Sequence, residues 1–328
     1  MFKKIAGWLS LATLFACMTS YVPASAGETE KLVDFSSAIE AVAPQALTGL
    51  SDVVPQKQID GSIVATVNDI EVELPASNTD ALTYTTDTNF RISIGLPKEG
   101  AGISAELDSE GRVTYTDLTN STSPLIKEDG SVAITTVAAS REAPTSYMYP
   151  ISGPEGTSLL LLDDGSIQIL DSFGEVAAMI AKPWALDAAG NAVETHFTLF
   201  GMNVIQVVEH DKTGVVYPVV FDPWLGQYLI SYIVWDFSAA ALAAYGPTLK
   251  VYPTEFGRYT GILARDAAWL EVLKLAGSRA NKQNLIDQFM CHWDYVRIKE
   301  PRKASWNLDS ARPNVGFWPT VWADCNPK

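Results

Sequence analysis

The sequence predicts a mainly β domain, built as an antiparallel sheet, a sandwich or a β-solenoid. A small α+β domain closed by one disulfide follows it. Three observations predict this layout. Short alternating or apolar bursts, punctuated by turn residues, fill 62–224. Beyond Gly261 the apolar period lengthens from two to between three and four. The charge also inverts: residues 27–247 carry nine basic and thirty acidic side chains, and 248–328 carry twelve and eight. The whole chain of 328 residues has a formal charge of −15 and is 47% hydrophobic. That is too apolar for a disordered chain, and the excess of acids excludes a generic nucleic-acid binder.

Residues 1–26 read as a signal peptide. Lys3 and Lys4 precede the apolar stretch Ile5 to Phe15, and Ala24-Ser25-Ala26 supplies a small-x-small site. Secretion with cleavage after Ala26 is expected. Leu14-Phe15-Ala16-Cys17 offers the alternative of a lipoprotein anchored at Cys17. Removal of the signal leaves Cys291 and Cys325. In an oxidising compartment an even pair reads as a disulfide rather than as two free thiols.

Residues 27–60 form a helical and linker lead. Val33, Ile39 and Val42 share a helical face that ends near Pro44, and Ser51 to Gly61 reads as linker. The acidic β-rich domain spans 61–225. Its strands include Ile63–Val67, Ile70–Leu74, Phe90–Leu96, Val113–Thr116 and Val132–Val137. Asp129-Gly130, Asp164-Gly165, Ala189-Gly190-Asn191 and Thr213-Gly214 mark turns between them. Leu159–Leu162 and Ile167–Leu170 pair as a hairpin about Asp163-Asp164-Gly165.

The C-terminal α+β domain spans 226–328. Its apolar run 228–245 is short for a membrane span and holds Asp236, so two buried strands, Tyr228–Trp235 and Leu249–Pro253, are expected. No transmembrane span is expected once the signal is removed. Ile262, Trp269, Val272, Leu273 and Ala276 then trace a helix stopped by Gly277. A second helix runs from about Asn281 to Ile298, with Leu285, Phe289 and Trp293 on one face. Arg302–Lys328 reads as Trp-rich loop and short strand.

Two clusters could carry chemistry. His292 lies between Asp287 and Asp294, which invites a general-base reading. Residues five and two apart on a helix face away from each other, so a hydrogen-bonded structural histidine beside the disulfide is the competing expectation. The second cluster holds the binding candidates Arg258, Trp293, Trp306, Asn307 and Arg312. Tryptophan and arginine together can stack on sugars and fork to carboxylates or phosphates. The competing expectation is that the tryptophans fill a small core and Arg312 bridges to a carbonyl. Two cysteines and His292 are too few for zinc, and neither metal nor cofactor is expected. His196 and His210 read as surface or packing residues.

The C-terminal motifs also carry a resemblance. Val251-Tyr252-Pro253-Thr254 and Gly257-Arg258 are followed by Trp269, Gln288-Phe289 and Cys291-His292-Trp293. Ser305-Trp306-Asn307-Leu308, Arg312-Pro313 and Cys325-Asn326-Pro327 complete the series. In this order, over roughly 228–328, they resemble the family known as domain of unknown function 2599, found in secreted proteins of high-GC Gram-positive bacteria. Tyr217-Pro218-Val219-Val220-Phe221-Asp222-Pro223-Trp224 resembles the end of a β-rich region found ahead of such modules, with Phe221 in place of a small residue. The resemblance implies export and the two-part layout. It implies no activity or substrate, and leaves the motif residues as either a site or the disulfide's supporting shell.

The leading expectation is therefore a non-enzymatic extracellular or cell-envelope binding module, whose partner is an envelope polymer or another secreted protein and not a nucleic acid. The first alternative is a secreted hydrolase using His292 with a carboxylate and Arg312. The second is an effector whose basic C-terminal domain is released by proteolysis.

Overall fold

The computed structural model describes residues 34–98, 102–107 and 111–328. The expected signal, its cleavage site, Cys17 and Val33 lie outside the described residues. Helix α1, Phe35–Val42, forms where the amphipathic lead was read, and Asp34 caps it by accepting from the Ser37 amide at 3.0 Å. It buries Phe35, Ala38, Ile39 and Val42. Pro44 then opens a 3₁₀ turn, Pro44–Leu47.

Among the described residues of the β-rich region, strands assemble into an eight-stranded and a ten-stranded sheet. Every pairing is antiparallel. The first sheet runs from Gln56–Lys57 through Ile63–Val67, Ile70–Leu74, Ala81–Thr85, Arg91–Gly95, Ser146–Ser152 and Asn203–Val208 to Thr195–Phe200. The second is centred on Val132–Ala138, which pairs with Asn120–Ile126 on one side. On its other side it pairs with Trp224–Gly226 and Val219–Asp222. The hairpin at Asp163-Asp164-Gly165 forms as read, with Leu159 opposite Ile169.

The two sheets share one core, in which Ile92, Ile94, Tyr147 and Tyr149 meet Ile134, Ile169, Ile180 and Phe221. Phe221 fits there because its ring lies 4.5 Å from that of Tyr147, and it is fully buried. The second sheet is covered on its other face too. Ala133, Val137, Met179, Ala181, Val220 and Trp224 point into a second core with α1 and the C-terminal segment. Burial on both faces explains why Val132–Ala138 is buried at every position, Thr135 and Thr136 included.

The C-terminal segment adds a three-stranded sheet, Ile230–Asp236, Thr248–Pro253 and Trp306–Asp309. The first strand lies at the edge and is largely exposed, unlike the buried strand expected there. A short helix, α2 (Ala239–Tyr245), occupies the link and buries no residue. Four helices follow: α3 (Glu255–Tyr259), α4 (Arg265–Ala276), α5 (Gln283–Cys291) and α6 (Arg297–Lys299). Gly277 ends α4 with φ +70°, as the sequence signals. Between α5 and α6 the chain widens into a π-helix, His292–Val296. The last helix, α7 (Phe317–Trp322), replaces expected loop.

Cys291 and Cys325 are disulfide-bonded, with Cα atoms 5.5 Å apart. The described residues form one compact unit, and the second core joins α1, the second sheet and α3–α5 without a break. Among the described residues no helix is long and apolar enough to cross a membrane.

Candidate functional site

Several side chains of the C-terminal motifs point inward. Trp293 and Trp306 are completely buried, their rings 5.9 Å apart and edge to face. Phe289 lies about the same distance from each. A fully buried indole offers no face to a glycan, so these two residues form core and not the binding surface expected of them. Arg312 is 8% exposed. Its Nε donates to Asp309 Oδ2 at 2.7 Å, its Nη1 donates to the carbonyls of Asn326 and Pro327, and its guanidinium lies 3.7 Å from the Tyr245 ring centre. It fastens the chain end to the sheet. Arg258 is half-buried and clamps the carbonyls of Pro301, Lys303 and Ala304. Asn307 alone of the five is exposed, and it stands apart on the outer face of the three-stranded sheet.

His292 is 2% exposed. Its Nδ1 donates to the Gln288 carbonyl at 2.8 Å. Burial holds its pKa down at about 4, so the ring is neutral. Gln288 continues the network: its amide donates to the carbonyls of Asn284 and Asp309, and its Oε1 accepts from the Asp309 amide. Thr248 Oγ1 donates to Asp309 Oδ1 at 2.7 Å. A neutral histidine with one nitrogen committed and no exposure cannot take a proton from a substrate in solvent. His292, Gln288, Asp309 and Thr248 thus form one buried hydrogen-bonded network in the segment closed by the disulfide. His210 is likewise buried, between Tyr217 Oη and the Pro144 carbonyl, while His196 is exposed.

Arg258 also lines an open cavity of about 740 Å³ with Asp87, Asp129 and Glu271. A smaller, more apolar concave site lies on the second face of the second sheet. A cavity of about 280 Å³ opens between the 3₁₀ turn Pro44–Leu47, the sheet and α3. Its walls are Trp184, Trp224, Tyr259, Leu186 and the methyl groups of Ala46, Ala133 and Ala181, with Gln45 and Lys182 also lining it. Tyr259 stacks on Trp224 with ring centres 5.6 Å apart. Trp224 is fixed from behind by its Nε1, which donates to Ser131 Oγ at 2.8 Å.

Two buried groups of opposite charge line the same cavity. Lys127 is 1% exposed. Its ammonium donates to the carbonyls of Ala46 and Thr48 and lies 5.3 Å from the Trp224 ring centre. Burial lowers its pKa to about 8, although the carboxylates of Glu255, Asp222 and Asp129 oppose the shift. Asp222 is 1% exposed, and its Oδ1 has no hydrogen-bond partner. Burial raises its pKa to about 7, against hydrogen bonding to the carboxyl group from the side chain and backbone of Trp184 and the charge of Lys127. A carboxylate oxygen buried without a full set of partners is costly, and this one lies at a residue that lines a cavity.

Sequence reasoning named Asp222 and Trp224 only as motif letters, and passed over Lys127, Trp184 and Tyr259. These positions are far apart in the chain. Only the strand order brings them together, and no local pattern announces it.

Fold and site together define a two-sheet β protein with a disulfide-closed α+β module docked on its outer face and a small aromatic-walled cavity at the joint. Residues 238–328 match the family described as "Protein of unknown function (DUF2599)". Through this segment the chain belongs to that family. An uncharacterised protein of Mycobacterium tuberculosis is 44% identical over 85 residues, which covers 25% of this chain and 57% of the relative. One from Mycobacterium bovis matches with the same figures. One from Mycobacterium leprae is 32% identical over 84 residues, 24% of this chain and 68% of the relative. The chain thus spans little more than half the length of the first two relatives. No solved structure matches.

Proposed function

We propose that this is an exported, non-catalytic binding protein whose ligand occupies the cavity at Lys127 and Asp222. The observation that carries the reading is that cavity: apolar aromatic walls enclosing a few buried polar groups, the usual composition of a small-molecule site. Export is supported by the positively charged start, the apolar stretch and Ala24-Ser25-Ala26, and by a disulfide that an oxidising compartment would maintain. The absence of any exposed nucleophile–base pair around His292 favours binding over hydrolysis.

At about 280 Å³ the cavity takes one ring or a short branched chain, at the small end of the usual range. Toluene is the simplest probe of it. A ligand that binds only the folded state raises the melting temperature. Buffer near saturation with toluene should raise the melting temperature of the oxidised full chain by a few degrees. Ala181→Leu, which places a larger side chain in the wall, should abolish the shift. A melting temperature indifferent to toluene would remove this site. Export is tested by intact mass: material from the medium should begin at Gly27 and weigh about two daltons less than its reduced form.

A further inference from the structure

The polar pair at the cavity bears on what the ligand carries. Lys127 has three donors, and the carbonyls of Ala46 and Thr48 take two. Asp222 Oδ1 accepts from nothing. The two groups feel each other electrostatically. A donor and an acceptor are therefore both left over beside a cavity walled by Trp184, Trp224 and Tyr259.

The choice of chemical group follows from charge. A ligand ammonium would meet Lys127 and the exposed Lys182, both lining the cavity. A ligand carboxylate would meet Asp222. A neutral hydroxyl suits both, since its oxygen accepts from an ammonium while its hydrogen goes to a carboxylate oxygen. The walls offer aromatic faces and methyl groups to the remainder of the molecule.

Resting on the binding reading above, we propose that the cavity selects a small, largely apolar molecule bearing one hydroxyl, a phenol or an alcohol, held between Lys127 Nζ and Asp222 Oδ1. The hydroxyl sets the orientation and the rings supply the contact. A single-ring phenol matches the volume.

The test compares p-cresol with toluene, which share a body and differ by the hydroxyl, on the oxidised full-length protein by calorimetric titration. A hydroxyl buried without partners weakens binding, so shape alone would favour toluene. The expected result is p-cresol at least tenfold tighter than toluene, with benzylamine and benzoate weaker than p-cresol. In Asp222→Asn the preference for p-cresol should fall at least fivefold while toluene binding stays within twofold. The wild-type ligand series stands alone if that variant fails to fold. Toluene binding as tightly as p-cresol, or tighter, would overturn the hydroxyl assignment and leave the cavity as a purely apolar site. Tighter binding of benzylamine or benzoate would overturn it in favour of a charged ligand. Binding of none of the four at millimolar concentration would overturn the hydroxyl assignment together with the binding reading.

Discussion

His292 loses its hydration on folding, and with it the ability to hold a proton near neutral pH. Its pKa falls from 6.5 to about 4 in the native state. The unfolded chain therefore binds a proton between pH 6.5 and 4 that the native chain refuses, and the histidine's contribution to stability is lost as pH falls through that window. The full effect is about 3 kcal/mol by the usual conversion. Asp222, and Glu271 of α4, whose carboxylate accepts from the Leu229 and Ile230 amides, act with the opposite sign. Burial raises each to about 7, so each loses stability as pH rises from about 4 towards 7. The histidine's effect is thus isolated by difference: His292→Gln should flatten the acid side of the stability curve relative to wild type. The His292 ring signals should titrate by nuclear magnetic resonance with a midpoint near 4, and a midpoint above 6 would contradict the burial. Arg312 is the second test at this scale. It is buried against Asp309 and three further acceptors or faces, so Arg312→Ala should cost about 3–5 kcal/mol in denaturant melts, the range for stripping one partner from a buried pair.

At the scale of elements, the joints between the β sheets and the C-terminal helices are made by backbone closeness. A Cβ at Gly257 in α3 would sit 2.1 Å from the Leu229 carbonyl oxygen, and one at Gly261 would sit 2.1 Å from Asp164 Oδ2. Asp164 itself accepts from the Leu263 amide at 2.8 Å, and Asp129 Oδ2 accepts from the Phe256 amide at 2.9 Å. Both aspartates lie in turns recognised from the sequence, but each turn also reaches across to the helical segment. Gly257→Ala should destabilise by about 1–3 kcal/mol as overpacking, measured by chemical denaturation. Reducing the disulfide, which closes a separation of 34 residues, should cost about 3–4 kcal/mol in the chain-entropy picture.

The legibility of these elements follows the same physics. Ile63–Val67 and Ile70–Leu74 were readable because one face is buried and the period of two survives. The Leu285, Phe289 and Trp293 stripe was readable because one helical face enters the core. Helices α2 and α7 were missed: α2 buries nothing and α7 carries Pro319 at its third position, so neither shows a periodic apolar face. The edge strand Ile230–Asp236 was misjudged because Tyr232 and Val234 are apolar yet exposed. Trp293 and Trp306 fit core and surface equally well by composition, and only their packing decided between them.

Across the whole molecule, the second sheet is the shared layer. Its strand Val132–Ala138 sends Ile134 into the inter-sheet core and Ala133 and Val137 into the core with α1 and the C-terminal helices. Because both cores use that strand, the described molecule should unfold in one transition, with circular dichroism and tryptophan fluorescence midpoints coinciding. Two separated transitions would show the layers to be independent. The layer that joins the β sheets to the C-terminal segment was beyond what the charge inversion along the sequence could show. The cavity sits at that joint, where Trp224 of the sheet meets Tyr259 of α3 and Lys127 reaches the turn after α1. Its most direct test is a titration of the oxidised full chain with p-cresol, followed through methyl resonances. Binding there predicts saturable shifts at Ala46, Ala133, Ala181 and Leu186, which line the cavity, with Leu82 and Ile92 of the first sheet, in the inter-sheet core, unmoved. Shifts that miss those four methyls, or none at all, would contradict the assignment of this cavity as the protein's binding site.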